Sequence, residues 1–145
     1  MNAYMNQYQN NQVLNATPER ILVMLYDGAI RFCRQAMQAL DEGRHKDRGE
    51  RIGKVMAIVC EFSNTLDHEV GGEIAADLDA LYDFMVRELT RANVKNDRGA
   101  LETVEKLLLE LRETWVEAIE INKQANPAPP QGSESDAAKH VAVSL

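Results

Sequence analysis

The chain is 145 residues long, which suits one domain, and its 16 Lys and Arg against 23 Asp and Glu give a formal charge of -7. That sign excludes a phosphate-driven nucleic-acid binder and disfavours adhesion to an anionic membrane surface. Two cysteines are too few for the disulfide framework of a small secreted domain. No apolar run is long enough for membrane insertion, and no basic start with an apolar stretch resembles a signal peptide, so the expected compartment is cytoplasmic.

Residues 1–17 carry no charged side chain and eight Asn or Gln, with Tyr4, Met5, Tyr8, Val13 and Leu14 as their sizeable apolar groups. They read as an N-terminal arm outside the core. A helix start follows: Thr17 can accept from the first free amides, Pro18 has its φ preset for the first helical position, and Glu19 complements the positive end of the dipole. No other proline occurs before Pro127, so the intervening stretch can be helical apart from turns supplied by glycine.

Helix 1 is predicted to run to about Asp41, burying Ile21, Leu22, Leu25, Ala29, Phe32, Ala36 and Leu40 in steps of three and four. Helix 2 is predicted after a polar turn from Gly43 to Gly49, with Ile52, Val55, Met56, Val59, Phe62 and Leu66 inward. Helix 3 is placed after Gly71 and Gly72, burying Ile74, Leu78, Leu81, Tyr82, Met85 and Leu89 and lapsing near Asn93. Asn96 and Asp97 supply the next turn and cap. Helix 4 presents Leu101, Val104, Leu108, Leu111, Trp115, Ala118 and Asn122 in a heptad-like stripe. Brief connections leave consecutive helices adjacent and reversed, so the fold class is all-α, an antiparallel up-down four-helix bundle over residues 18–126. Residues 127–145 hold three prolines, Gly132, Ser133 and Ser135, and read as a disordered tail.

Little in this chain points to catalysis. A carboxylate-bridged metal pair needs a Glu-x-x-His step on each of two helices, and the one such step, Glu42 to His45, straddles Gly43 in a predicted turn. Cys33 and Cys60 lie in apolar stretches and are expected to pack as small hydrophobes. No nucleophile elbow, phosphate-binding glycine loop or dinucleotide fingerprint occurs. The reading is therefore no enzyme, no cofactor and no metal.

Two surface features point outward. From Glu61 to Asp83 there are seven acids and no Lys or Arg, either a solvated face or a patch for a basic partner. Met24, Tyr26, Ile30, Phe84 and Val86 fall beside or opposite the main stripes of helices 1 and 3. Such surplus fits either a thick bundle or a groove awaiting an amphipathic segment. The uncharged arm favours the groove, as a displaceable cover.

Specific residues then carry a family resemblance. The run Tyr8-Gln-Asn-Asn-Gln-Val13-Leu-Asn-Ala-Thr17-Pro18, continuing through Glu19-Arg-Ile-Leu-Val-Met-Leu25-Tyr26-Asp27-Gly28-Ala29, closely resembles the start of the flagellin export chaperones, the FliS family. Two further blocks agree: Gly71-Gly72-Glu73-Ile74-Ala75 leading to Leu81-Tyr82-Asp83-Phe84-Met85, and Ala92-Asn93-Val94-Lys95-Asn96-Asp97 leading to Leu111-Arg112-Glu113-Thr114-Trp115. The likeness runs from about Tyr8 to Ala118; the tail falls outside it.

The resemblance implies a cytosolic bundle that binds the disordered C-terminal segment of flagellin and prevents its premature polymerisation. It further implies delivery to the flagellar type III secretion apparatus, where an export gate component meets the loaded complex. The arm would occupy one groove when the client is absent, with Tyr8 and Val13 as anchors. Ile21, Leu25, Tyr26, Tyr82 and Met85 are the expected client contacts, with the two tyrosines near a rim because their hydroxyls seek water. Ile21, Leu25 and Met85 fit the core as well, and Trp115 is assigned there. Gly28 is expected to permit close approach of another backbone. The protein is expected to be a monomer or weak dimer. The competing reading is a self-associating structural bundle without a peptide client.

Overall fold

The computed structural model describes residues 17–125, and among them the chain forms four helices: α1 (Pro18–Asp41), α2 (His45–Asn64), α3 (His68–Lys95) and α4 (Arg98–Ala125). Each packs on its sequence neighbours and α4 closes back on α1, leaving α1 and α3 diagonal to one another. This is the antiparallel four-helix bundle that the turn spacing predicts. Residues 1–16 and 126–145, which include Tyr8, Val13, most of the expected arm and the expected tail, lie outside the described residues.

α1 starts as its sequence dictates. The Thr17 hydroxyl accepts from the Arg20 amide at 3.3 Å, with Pro18 at the first helical position. Its exit is tighter than expected. Gly43, at φ +71°, reverses the chain alone, while the Arg44 amide donates back to the Ala39 carbonyl at 2.8 Å. α2 therefore begins at His45, and Gly49 lies inside the helix instead of ending the turn.

α3 meets the expectation in part: its long run opens after Gly72, as predicted, but a capped helical turn precedes the glycine pair. It begins at His68, before the glycine pair, because Asp67 Oδ1 accepts from both the Glu69 and Val70 amides at 3.1 Å. Gly72, at φ 51° and ψ -123°, then breaks the helical path and kinks it. The far end extends to Lys95 and stops at Asn96, which takes the left-handed conformation at φ 54°. As predicted, Asp97 caps α4, its Oδ1 accepting from the Ala100 amide at 3.3 Å.

The buried face of α1 is Leu22, Tyr26, Ala29, Ile30, Cys33, Ala36 and Met37, turned by about one position from the predicted stripe. Tyr26 and Ile30, taken as surplus, are core. Ile21, Leu25, Phe32 and Leu40 are only half-buried. Cys33 packs inside as expected, but Cys60 is exposed: α2 buries Ile52, Val55, Val59 and Phe62, and the residue after Val59 points about 100° away from that face.

Three ion pairs stitch α1 to α4. Arg98 Nε donates to Asp41 at 2.9 Å, Arg34 Nε donates to Glu105 at 2.8 Å, and Arg112 Nε donates to Asp27. The rungs recur one heptad apart on both helices, and the charge on each helix alternates along the series.

Candidate functional site

The middle of the bundle is an aromatic layer with one ring from each helix. Tyr26 of α1 stacks on Phe62 of α2 at 4.3 Å between centroids, and Phe62 meets Tyr82 of α3 at 5.7 Å. Trp115 Nε1 of α4 donates to the Tyr26 hydroxyl at 3.0 Å, and the Tyr26 and Tyr82 hydroxyls share a hydrogen bond at 3.1 Å. Burial pushes both phenols above their ordinary range. Cys33, whose thiol donates to the Leu101 carbonyl at 3.3 Å, is pushed up to about 12 by burial first and the Glu105 charge second.

This layer corrects the expected rim position of the tyrosines. Tyr26 is 0% exposed and Tyr82 1%, and Met85 is buried beside them. A tyrosine hydroxyl needs a partner, and here three helices supply the partners internally, so neither ring has to reach water. Trp115 is core, as assigned. Tyr82 still lines a shallow pocket of about 100 Å³ between α2 and α3, together with Val59, Ser63 and Val86.

The apolar surface lies elsewhere, and periodicity concealed it. Val70 and Ile74 are each 64% exposed on the first turns of α3, and Val116 and Ile121 are exposed on the last turns of α4. Ile74, predicted as core, stands out beyond the Gly72 kink. Antiparallel pairing brings these residues to the same end of the bundle as the half-buried Ile21, Leu25 and Leu66. Thr17 and Ala125 lie at this end too, so both undescribed terminal segments depart from it.

The opposite end is mainly polar, with Val94, 73% exposed, as its one large exposed apolar side chain among the described residues. Arg48, 8% exposed, donates through Nη2 to the Asn93 carbonyl at 3.1 Å and through Nη1 to His45 Nδ1 at 2.9 Å and to Asn96 Oδ1. Its charge thereby faces the carbonyl end of α3, where a helix favours a cation. Arg44 pairs with Glu42 at 2.8 Å and with Asp47 at 2.5 Å. Glu42 and His45, the one metal-like step in the sequence, are thus both engaged by arginines. The acidic stretch is likewise partly absorbed, with Asp67 capping α3 and Asp79 accepting from the Ser63 hydroxyl.

A four-helix bundle with a satisfied polar end and an uncovered apolar end defines a helical-bundle protein whose chemistry is that of its surfaces. Comparison with known proteins carries this further. The sequence model of the family described as "Flagellar protein FliS" matches residues 1–122, and the chain belongs to that family. It is 37% identical over 117 residues to the flagellar secretion chaperone FliS of Bacillus subtilis, covering 81% of this chain and 86% of that one. The Vibrio cholerae protein of the same name is 38% identical over 115 residues, covering 79% and 85%. That of Salmonella typhimurium is 39% identical over 114 residues, covering 78% and 84%. These relatives are named as chaperones, a non-enzymatic class.

Proposed function

We propose that this protein is a cytoplasmic export chaperone. It binds the disordered C-terminal segment of flagellin, prevents its premature polymerisation and delivers it to the flagellar type III secretion apparatus. The observation that carries this reading is the exposure of Val70, Ile74, Val116 and Ile121 at the one end of the bundle where α1 starts. A client that folds on binding must offset its ordering entropy with apolar contact, and burying each such side chain contributes about 1.5–3 kcal/mol.

Ile21 and Leu25, half-buried on the α1 side of this end, extend the client's track directly. Tyr26, Tyr82 and Met85 act from beneath as the rigid floor on which the exposed side chains stand. When the client is absent the arm covers the same surface, with Tyr8 and Val13 as its anchors, and client binding displaces it. The loaded complex is what an export gate component receives. No cofactor or metal is required, since holding and releasing a segment involves no bond-making.

Calorimetry with a peptide from the flagellin C-terminus tests this. A one-to-one complex is expected, weakened about tenfold by Ile74→Ser, equivalent to about 1.4 kcal/mol. Absence of heat together with a constant dimer mass would instead establish the self-associating bundle.

A further inference from the structure

We propose that a second surface, the outer face of α1 from the α1–α4 groove to Phe32, docks an acidic peptide segment of a partner protein. Three cations converge on the Phe32 ring: Arg31 and Lys54 each at 5.4 Å from its centroid and Arg51 at 5.9 Å. Among the described residues none of the three forms an ion pair, and they are the cations that gather on one ring. Asp47, four residues before Arg51, is taken by Arg44, but Glu50 stands four residues before Lys54, at the favourable spacing. The cations nonetheless gather on the ring. In a chain of net charge -7, such a knot of unpaired positive charge is a local inversion of the protein's field.

Arg31 also lines the groove between α1 and α4, a space of about 520 Å³ where Ile30 and Leu109 lie among polar residues and Asp27 is paired with Arg112. In that groove Gln35 holds a buried Oε1 that accepts no hydrogen bond. A buried acceptor without a donor is unfavourable by about 1–3 kcal/mol, so a ligand that brings an N–H to this groove would gain from supplying it. This distinguishes the candidate occupants. A phospholipid phosphate or a nucleic-acid backbone supplies negative charge and no donor, and the net charge repels an extended polyanion. A peptide supplies both: a backbone N–H for Gln35, an apolar side chain against Ile30 and Leu109, and carboxylates for Arg31, Arg51 and Lys54.

This surface is separate from the apolar end assigned to the flagellin segment, so the two stand or fall independently. The test uses the full-length protein and a short labelled peptide of interspersed Glu, Leu and Gly, with a Gln-for-Glu twin, read by fluorescence anisotropy. The Glu peptide is expected to bind at least about tenfold more tightly than its twin and to weaken as salt is raised. The double variant Arg31→Glu, Lys54→Glu should lose about tenfold in affinity for the Glu peptide with its helicity and its binding of the flagellin peptide unchanged. Arg51→Gln gives the same direction with a smaller perturbation of charge should the double variant fold poorly. Equal binding of the two peptides, or binding indifferent to these substitutions, overturns the proposal. So does binding to phosphatidylglycerol vesicles in preference to the Glu peptide, which would assign the cations to a membrane surface.

Discussion

The two ends of the bundle solve opposite problems with the same four helices. At one end, the α1–α2 and α3–α4 turns are fixed by Gly43 and the left-handed Asn96, Arg48 ties α2 to the carbonyl end of α3, and Arg98 ties α4 to α1. Arg44, Arg48 and Arg98 all have side-chain partners there. At the other end, the α2–α3 turn leads into a kinked helix, and Val70, Ile74, Val116 and Ile121 stand in solvent. The comparison teaches that the satisfied polar contacts and the exposed apolar side chains are spatially divided, and on the proposed function that division separates stability from recognition.

The sharpest break in that division is at the layer between the ends. Tyr82→Ala removes a fully buried ring and the Tyr26 hydrogen bond, and is expected to lower unfolding stability by about 3–5 kcal/mol in denaturant titration. A loss below about 1 kcal/mol would place Tyr82 with the exposed surface after all.

Alkaline pH probes the same interior without mutation. Cys33 ionises near its ordinary 9.0 in the unfolded chain but holds its proton to about 12 in the native one. The native state therefore binds more protons between those values, and stability falls as pH rises through that window, by about 1 kcal/mol per pH unit. Tyr26 and Tyr82, both raised by burial, steepen the fall above pH 10.0. Below pH 9 these three groups leave stability flat, which equilibrium unfolding across pH would check.

At the polar end, Arg48→Ala strands Asn93 and Asn96 and should cost about 2 kcal/mol. Amide exchange should rise around the α3–α4 turn while the first turns of α3 keep their wild-type rates. Equal acceleration at both ends would dissolve the distinction between them.

Smaller effects sharpen it. A Cβ at Gly28 would meet Ile58 Cδ1 at 3.8 Å, an ordinary contact, so no close backbone approach requires glycine there. Gly28→Ala should stabilise the bundle by about 0.5–1 kcal/mol through helix propensity, read as a raised Tm. Ile74→Ser should change stability by no more than about 0.5 kcal/mol, because its side chain stands outside the core. A larger loss would show that the apolar end is structural.

Helix number, order and antiparallel connection were legible because proline and glycine placement is a local signal, and so was the Thr17-Pro18-Glu19 start. Errors arose where a local rule met a tertiary fact. Asp67 caps a helical turn ahead of Gly71 and Gly72 that the pattern did not reveal, while Gly72 breaks the path as its position suggested and the long run of α3 opens after it. Tyr26 and Tyr82 looked like rim residues because their partners, each other and Trp115, lie on three different helices. Ile74 matched the helical period of a core residue, but period does not say where a neighbouring helix ends. The charges at Asp27, Arg34 and Asp41 and at Arg98, Glu105 and Arg112 were a readable signal, since both sets recur at seven residues with alternating sign.

That alternation has a consequence for assembly. Individually, such exposed rungs contribute at most about 1 kcal/mol, too little to matter as glue. Slide α4 by two turns along α1, however, and Asp27 would face Glu105 while Arg34 faced Arg98, or, in the opposite direction, Arg34 would face Arg112 while Asp41 faced Glu105. The ladder thus works as a vernier: an apolar seam that repeats every heptad would tolerate the slip, and the charges mark one alignment as right. The bundle has thereby penalised, on its own account, a heptad slip that its apolar seam would accept.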